Sequence, residues 1–202
     1  MEMTLKQLFY LMRWDIRINH GLSWDSFRAE LFLIELRIEQ YVYQKFCRGS
    51  SPLTIIWYVL RFLGSFFQWI LCNSNIPGSV TIGRGLRLPH PQNILIAGIA
   101  DIGEFCTIYH NVTIAWNGFM PIKPHSPKIG NRVLMGTGTI LLGDITIGSD
   151  VLIGAGTIVT KSIPDYSRVT NIPPNISPRF SSEDAAEPGS KRHILNPYSI
   201  WL

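Results

Sequence analysis

The residues of this 202-residue sequence that are best suited to acid–base chemistry are three histidines, His90, His110 and His125. Imidazole gains and loses a proton near neutral pH, so it can take the proton from an alcohol, which is a poor nucleophile without such a base. Taken alone, a histidine between two prolines, as His90 is, would be a solvated residue at a turn. The chemistry therefore depends on the elements that position these imidazoles.

The cysteines and the basic residues indicate neither a metal site nor a nucleic-acid interface. Cys47, Cys72 and Cys106 are widely spaced and form no C-x-x-C pair, which predicts neither bound zinc nor a disulfide framework. Eighteen Lys and Arg against fourteen Asp and Glu give a net charge of +4, but the basic residues are scattered and match no nucleic-acid-binding motif. The N-terminus lacks the apolar run of an export signal, so we expect a cytoplasmic protein.

Up to about Leu71 the apolar residues follow a helical period. Steps of three and four residues predict an amphipathic helix that Ser23 or Asp25 caps and Gly49 ends. A second helix is predicted from Pro52 to about Leu71. The apolar stripe of the first helix is Phe27, Leu31, Ile34, Ile38 and Tyr41.

The second predicted helix is apolar enough to raise the question of a membrane span. Arg61, Gly64, Ser65 and Gln68 interrupt its middle and its end, and a charge inside a bilayer is costly. We therefore expect a buried or interfacial helix and no membrane span, with peripheral association left open.

From Ile76 onward the period changes to six, which neither a helix nor an alternating strand produces. Each six-residue unit tends to continue with Gly or Ala and then carries a small or β-branched residue. Short strands joined at tight corners, with two apolar positions pointing into a narrow prism, explain this pattern. Cys106 falls on an inward position, where packing is its expected role. The repeat positions are Ile76, Ile82, Leu88, Ile94, Ile96, Ile102, Ile108, Ile114, Ile129, Met135, Leu141, Ile147, Ile153 and Val159.

Four segments of the repeat resemble the hexapeptide-repeat acyltransferases, and among them the serine acetyltransferases and the colanic-acid and capsule polysaccharide O-acetyltransferases. The segments are 82–90, 106–114, 127–130 and 153–161. The resemblance implies a mainly β fold, in which a left-handed parallel β-helix over 75–176 follows a small α-helical domain over 1–74. Residues 177–202 turn polar and lose the period, which predicts a flexible tail.

The resemblance also implies an enzyme, an O-acetyltransferase that uses acetyl-CoA as co-substrate and no metal. It implies a homotrimer, or a dimer of trimers, with active sites between neighbouring prisms and direct transfer without a covalent intermediate. The matching base is His90, and the position that orients it in the serine enzymes is Asn75 here. His110, in the next coil, would bind the acceptor or share the proton transfer.

The same resemblance places coenzyme A on Thr137, Ala155, Thr160 and Lys161, where backbone amides would hold the thioester and the lysine would meet a phosphate. The late arginine of the family is replaced by Asn175, so Arg168 or Arg179 would substitute for it. A surface lysine and core-lining threonines are the alternative interpretation.

The acceptor is where the sequence departs from the serine enzymes. Pro89 stands where those enzymes carry a carboxylate for the ammonium group of serine, and Trp116 offers an indole on which a sugar ring can stack. We therefore predict a sugar or polysaccharide acceptor, with serine as the alternative and a non-catalytic trimeric scaffold as the second alternative. His125 and Asp15 are further candidates for acceptor binding, although capping and orienting the helices is the favoured role of Asp15.

Overall fold

The computed structural model describes residues 3–21, 23–46, 54–116 and 127–171. Three helices come first, namely α1 (Leu5–Asn19), α2 (Trp24–Phe46) and α3 (Thr54–Cys72). Strands of two or three residues follow, one on each side of a prism in turn. They are β1 (Thr81–Ile82), β2 (Leu95–Ile96), β3 (Asp101–Ile102), β4 (Thr107–Ile108), β5 (Thr113–Ala115), β6 (Lys128–Ile129), β7 (Leu134–Met135), β8 (Ile140–Leu142), β9 (Thr146–Ile147), β10 (Leu152–Ile153), β11 (Ile158–Val159) and β12 (Arg168–Val169).

The strands form three parallel sheets. Sheet A has the order β1-β3-β6-β9, sheet B the order β12-β10-β7-β4, and sheet C the order β11-β8-β5-β2. Because the chain visits the three sheets in rotation, each turn stacks on the previous one as a coil. The predicted left-handed parallel β-helix, preceded by helices, is confirmed.

The interior of the β-helix consists of the residues that the six-residue period predicts. All fourteen repeat positions are at most 5% exposed, so the period is confirmed as the inward register. The small or β-branched positions are also inside, and Thr139 and Thr157 are the two buried hydroxyls among them. Cys106 is fully buried, and this burial raises the pKa of its thiol. Its expected packing role agrees with that position.

The corners of the β-helix contain a residue with positive φ at the same place in successive coils. Between sheets B and C these residues are Asn93, Asn111, Gly138 and Gly156, with φ of 55°, 59°, 70° and 66°. Asparagine and glycine are the residues that adopt this left-handed conformation most readily. These residues therefore let the chain turn at each corner with little conformational strain.

The three helices form a cap on the first coil, and we call them the helical cap. The first coil has no preceding coil to pair with, so its outer N–H and C=O groups need other partners. Side chains of the cap supply them. The contacts are Gln68 with Ile76 N (2.9 Å) and Ile76 O (3.1 Å), Gln40 with Val80 O (2.8 Å), Arg37 with Ile82 O (2.7 Å) and Gly83 O (2.6 Å), Asp15 with Gly85 N (2.8 Å) and Leu86 N (3.1 Å), and Asn19 with Leu86 O (2.7 Å) and Leu88 N (2.8 Å).

An ion pair holds the centre of this cap. Arg37 Nε lies 2.7 Å from Asp15 Oδ2, and both side chains are at most 1% exposed. Charges buried to this degree persist only when they are paired and hydrogen-bonded. Both conditions hold here, because the same two side chains also bind the backbone of the first coil.

The helix that the apolar stripe predicts is present as α2, but the stripe does not face the core. Ala29, Phe32, Leu33 and Leu36 are fully buried instead, whereas Ile38 of the stripe is 45% exposed. An amphipathic stripe normally packs inward, and here the first coil's backbone recruits the polar residues to that side. Within the described residues, no helix combines the length and apolar character needed to cross a bilayer.

The helices and coils form one compact unit that extends to Asn171. The domain boundaries at 74 and 176 stay predictions, and the tail predicted over 177–202 lies outside the described residues.

Candidate active site

One edge of the β-helix, between sheets B and C, carries four of the predicted site residues, and we call it the histidine edge. Backbone hydrogen bonds join its successive coils: Asn111 N donates to Gln92 O (3.1 Å), Gly138 N to His110 O (3.1 Å) and Gly156 N to Thr137 O (2.7 Å). This register places His110, Thr137 and Ala155 in line with Gln92 of the first corner. His90 lies in that same corner, two residues before Gln92. The four predicted site residues on the edge are His90, His110, Thr137 and Ala155.

His90 lies in the longest of these corners. The chain advances eight residues from Arg87 to Leu95, where these residues pair with Thr107 and Thr113, and six residues from Thr107 to Thr113 in the next coil. The two additional residues bulge the corner outward. The imidazole of His90 is consequently half exposed, as a base that meets a diffusing substrate must be.

The imidazole of His90 is held by a carboxylate from the helical cap. Its Nδ1 lies 2.8 Å from Oδ2 of Asp25, in the first turn of α2. Gln92, two residues after His90, donates from Nε2 to the other oxygen of Asp25 at 2.9 Å. The carboxylate is thus clamped between two residues of the longest corner.

Electrostatics favour a charged Asp25. The hydrogen bond from His90 is the main cause that holds the pKa of the Asp25 carboxyl below its usual value, and Gln92 and Arg28 act in the same direction. A carboxylate can only accept, so Nδ1 of His90 carries the proton in this pair. In the neutral imidazole Nε2 then carries the lone pair, which is the tautomer that a general base requires.

His110 lies beside His90. The two ring centroids are 5.7 Å apart in an edge-to-face arrangement. Nδ1 of His110 is buried and has no hydrogen-bond partner within the described residues. Since a buried unpartnered nitrogen costs free energy, this atom is suited to bind a polar group of a ligand at the histidine edge.

The residues predicted to bind coenzyme A divide between two corners. Thr137 and Ala155 lie on the histidine edge, in the third and fourth coils. Thr160 and Lys161 follow β11 and lie at the next corner, where both are exposed. Arg168 is exposed at the start of β12. Their roles stay predictions.

Two predicted site residues have structural partners instead. Asn75 was expected to orient His90, but its Oδ1 accepts from Arg61 Nη2 at 2.6 Å, and Asp25 holds the imidazole. Asp15 was a candidate for acceptor binding, but it is fully buried in the ion pair with Arg37. Its alternative role, orienting the helices, agrees with the structure.

The remaining acceptor candidates lie at or beyond the end of β5. Trp116 follows this strand directly, and 37% of its surface is exposed. His125 lies outside the described residues. The sequence indicates Asp25 only as a helix cap, because a separation of 65 positions from His90 leaves no local signal of the pair.

Sequence comparisons relate the chain to serine acetyltransferases, although no family model matches it. The Mycobacterium tuberculosis enzyme is 36% identical over 107 residues, which is 53% of this chain and 46% of that protein. The Helicobacter pylori enzyme is 38% identical over 108 residues, covering 54% and 62%. The Staphylococcus aureus enzyme is 41% identical over 124 residues, covering 60% and 55%. The chain thus spans about half the length of these relatives.

Solved structures show the same fold. The Neisseria gonorrhoeae serine acetyltransferase superposes with a TM-score of 0.69 at 24% identity, over 84% of this chain and 67% of that one. An Entamoeba histolytica serine acetyltransferase in complex with cysteine gives a TM-score of 0.67 at 23% identity, over 86% and 62%. The chain is therefore similar in sequence and in fold to the serine acetyltransferases, which confirms the predicted resemblance.

Proposed function

We propose that this chain is an acetyl-CoA-dependent O-acetyltransferase in which His90 is the general base. The observation that carries the proposal is the 2.8 Å contact between His90 Nδ1 and Asp25 on an exposed corner of the β-helix. In this arrangement a carboxylate fixes the tautomer of a histidine that acts as a base. The relatedness to serine acetyltransferases supports the same class of reaction.

The proposed reaction is a direct transfer. Nε2 of His90 takes the hydroxyl proton of the acceptor while the acceptor oxygen attacks the thioester carbonyl carbon. The carbon–sulfur bond then breaks, and the coenzyme A thiolate takes the proton back from the imidazolium. Asp25 stabilises that imidazolium. General-base help of this kind contributes roughly 100- to 10,000-fold to the rate.

Acetyl-CoA is proposed to lie along the histidine edge. Backbone groups next to Thr137 and Ala155 would bind the pantetheine amides, and Thr160 and Lys161 would meet the phosphates from the neighbouring corner. The absence of a bulky side chain at Ala155 fits a narrow ligand lying against the coil. A homotrimer, in which a second prism covers this edge, is part of the proposal.

Serine is the acceptor that the comparisons favour over the predicted sugar, since the relatives reported above are all serine acetyltransferases. One observation keeps the sugar hydroxyl as a second candidate. Pro89 precedes the base, Asp25 is engaged by His90 and Gln92, and Asp15 is buried. Asp25 and Asp15 are therefore already engaged, and the ammonium group of serine needs a carboxylate.

The test is release of coenzyme A from acetyl-CoA with L-serine and with capsule-type oligosaccharides as acceptors. His90→Ala is expected to lower kcat/KM roughly 1,000-fold with either productive acceptor and to leave the melting temperature unchanged. His20→Ala is the matched control, because His20 also pairs with a carboxylate, Glu30, at 3.2 Å on the surface. It should retain full activity.

Each result decides one part of the proposal. Retention of most activity by His90→Ala would reject the base. Turnover of oligosaccharide without turnover of serine would reject serine as the acceptor. A protein that releases no coenzyme A with either acceptor, and whose melting temperature does not rise with coenzyme A, would instead be the non-catalytic scaffold.

A further inference from the structure

His110 is a partly buried imidazole that the reaction proposed above does not use. Its ring stands edge-to-face against the ring of His90, with the two centroids 5.7 Å apart. The next coil fixes its backbone, because Gly138 N donates to His110 O at 3.1 Å. The imidazole of His110 therefore has a defined place beside the proposed base.

The two nitrogens of His110 lie in different surroundings. Nδ1 is buried and has no hydrogen-bond partner, whereas Nε2, which also has none among the described residues, is accessible to solvent. A neutral imidazole carries one N–H and one lone pair. Of the two, a buried N–H without an acceptor is the rarer and more costly. In the protein without ligand, the proton of a neutral His110 therefore lies on Nε2.

The two histidines thus present complementary atoms to a ligand. His90 offers the lone pair of its Nε2, because Asp25 holds the N–H at Nδ1. His110 offers an N–H. A lone pair suits removal of the acceptor's proton, and an N–H suits an oxygen on which negative charge develops. The pair is therefore arranged as one base and one hydrogen-bond donor.

The coil of His110 lies between the base and the proposed cofactor site. The base is in the first corner of the histidine edge, His110 is in the second, and Thr137 and Ala155 are in the third and fourth. Successive coils are about 4.8 Å apart. Acetyl-CoA along the third and fourth corners must therefore extend to the level of His110 to bring its thioester to an acceptor bound by His90.

We propose that His110 donates a hydrogen bond from Nε2 to the thioester oxygen as negative charge develops on it. The inference rests on the proposed function and adds a second catalytic residue to it. When the acceptor oxygen bonds to the carbonyl carbon, an electron pair of the C=O bond moves onto the oxygen. The N–H of His110 stabilises that charge and keeps its proton. The pair returns to the carbon when the carbon–sulfur bond breaks.

The experiment compares two variants of His110 in the purified full chain by release of coenzyme A. His110→Phe keeps an aromatic ring against His90 but removes the N–H, so kcat should fall about 100-fold. KM for acetyl-CoA should stay within about twofold, because the donor acts mainly in the transition state. His110→Gln retains an N–H and should be roughly tenfold more active than His110→Phe.

An altered substrate tests the contact itself. In acetyl-dithio-CoA a sulfur replaces the carbonyl oxygen, and sulfur is a weak hydrogen-bond acceptor. The loss caused by His110→Phe should therefore be roughly tenfold smaller with this substrate than with acetyl-CoA. A residue that only packs against His90 would give the same loss with both substrates.

Asn111→Gly is the matched control, because it removes a side-chain amide from the same corner while the φ of 59° suits glycine. It should retain most of the wild-type kcat. Circular dichroism and the melting temperature establish that each variant folds, and His110→Ala replaces His110→Phe if the latter does not.

The outcomes separate this inference from the proposed function. Nearly full activity of His110→Phe, equal losses with the two substrates, or an equal loss in Asn111→Gly would overturn the role of His110 and leave His90 as the base. A wild-type protein that releases no coenzyme A with either acceptor would overturn the proposed function, and this inference with it.

Discussion

The β-helix buries almost only apolar side chains, whereas the helical cap buries charged and amide side chains beside its apolar ones. Inside the β-helix the fourteen repeat positions are aliphatic or Met, and none is more than 5% exposed. At the base of the cap the buried residues include Asp15, Arg37, Gln40 and Gln68, while much of α3 exposes aromatic and aliphatic residues. Apolar character therefore decides burial in the β-helix, whereas in the cap the hydrogen-bonding needs of the first coil's backbone decide part of it as well.

The difference has a geometric origin. Each inner coil pairs its backbone with the coils on both sides, so its side chains only have to fill the prism. The first coil lacks such a neighbour on one side, and buried N–H and C=O groups without partners are costly. Polar side chains of the cap replace the missing coil. A terminal repeat of a solenoid generally needs such a cap.

The largest effect is expected when the central side chain of the cap is removed, because this tests whether the cap replaces a missing coil. Arg37→Leu leaves the Asp15 carboxylate buried without its partner, which should lower the free energy of unfolding by about 4 kcal/mol. Urea denaturation would measure the change. Arg132→Leu is the matched control, because its ion pair with Asp150 is half exposed and should contribute less than about 1 kcal/mol. Equal losses in the two variants would mean that the cap is not a substitute for a coil.

A second change tests whether the cap contributes to the site as well as to the fold. Asp25→Asn removes the charge that fixes the tautomer of His90, so kcat should fall about 100-fold while KM for acetyl-CoA stays unchanged. Steady-state kinetics would show this, with Glu30→Gln as the control at the other His–carboxylate pair. An unchanged kcat, or a loss that appears only in KM, would assign Asp25 to packing.

The smallest expected effect concerns Glu35, which lies where α2 packs against α3. We call this helix–helix contact the seam. Burial raises the pKa of the Glu35 carboxyl to about 7, so the folded protein holds a proton that the unfolded chain releases near pH 4.5. The stability from that proton is complete below pH 4.5 and is lost as the pH rises through about 7. Glu35→Gln should therefore be more stable than wild type by about 2 kcal/mol at pH 8 and equal to it at pH 4. Denaturation curves at both values measure this.

Glu104→Gln is the control for that prediction, since Glu104 is an exposed partner of Arg84. Its stability should differ from wild type by a similar small amount at both pH values. A constant difference for Glu35→Gln would mean that the seam carries no proton.

The fold of the β-helix could be predicted from the sequence because its signal is local and repeated. A residue such as Ile108 or Met135 has the same environment as the residue six positions away, so one register explains all of them. The α2 stripe from Phe27 to Tyr41 has no such support. Which side of a helix is buried depends on its partner, and the partner here is the unpaired backbone of residues 76–88.

The residues of the site that lie on the coils could also be predicted from the sequence. His110, Thr137 and Ala155 follow the repeat, His90 lies in the corner that departs from it by two residues, and the structure brings all four to one edge. Asp25 could not be found in this way, because its proximity to His90 depends on how α2 docks. Asn75 stands at the position that orients the base in the serine acetyltransferases, but here it binds Arg61. Arg61 belongs to α3, so the six-residue repeat of the coils carries no signal of this contact.

The pair of Asp25 and His90 joins two layers of the molecule that need not come apart at the same temperature. If the helices detach first on heating, the imidazole loses its anchor although the coils remain stacked. Heat inactivation would then begin while the circular dichroism of the strands is still intact. Turnover would thus report on the attachment of the helices, whereas the strand signal would report on the coils.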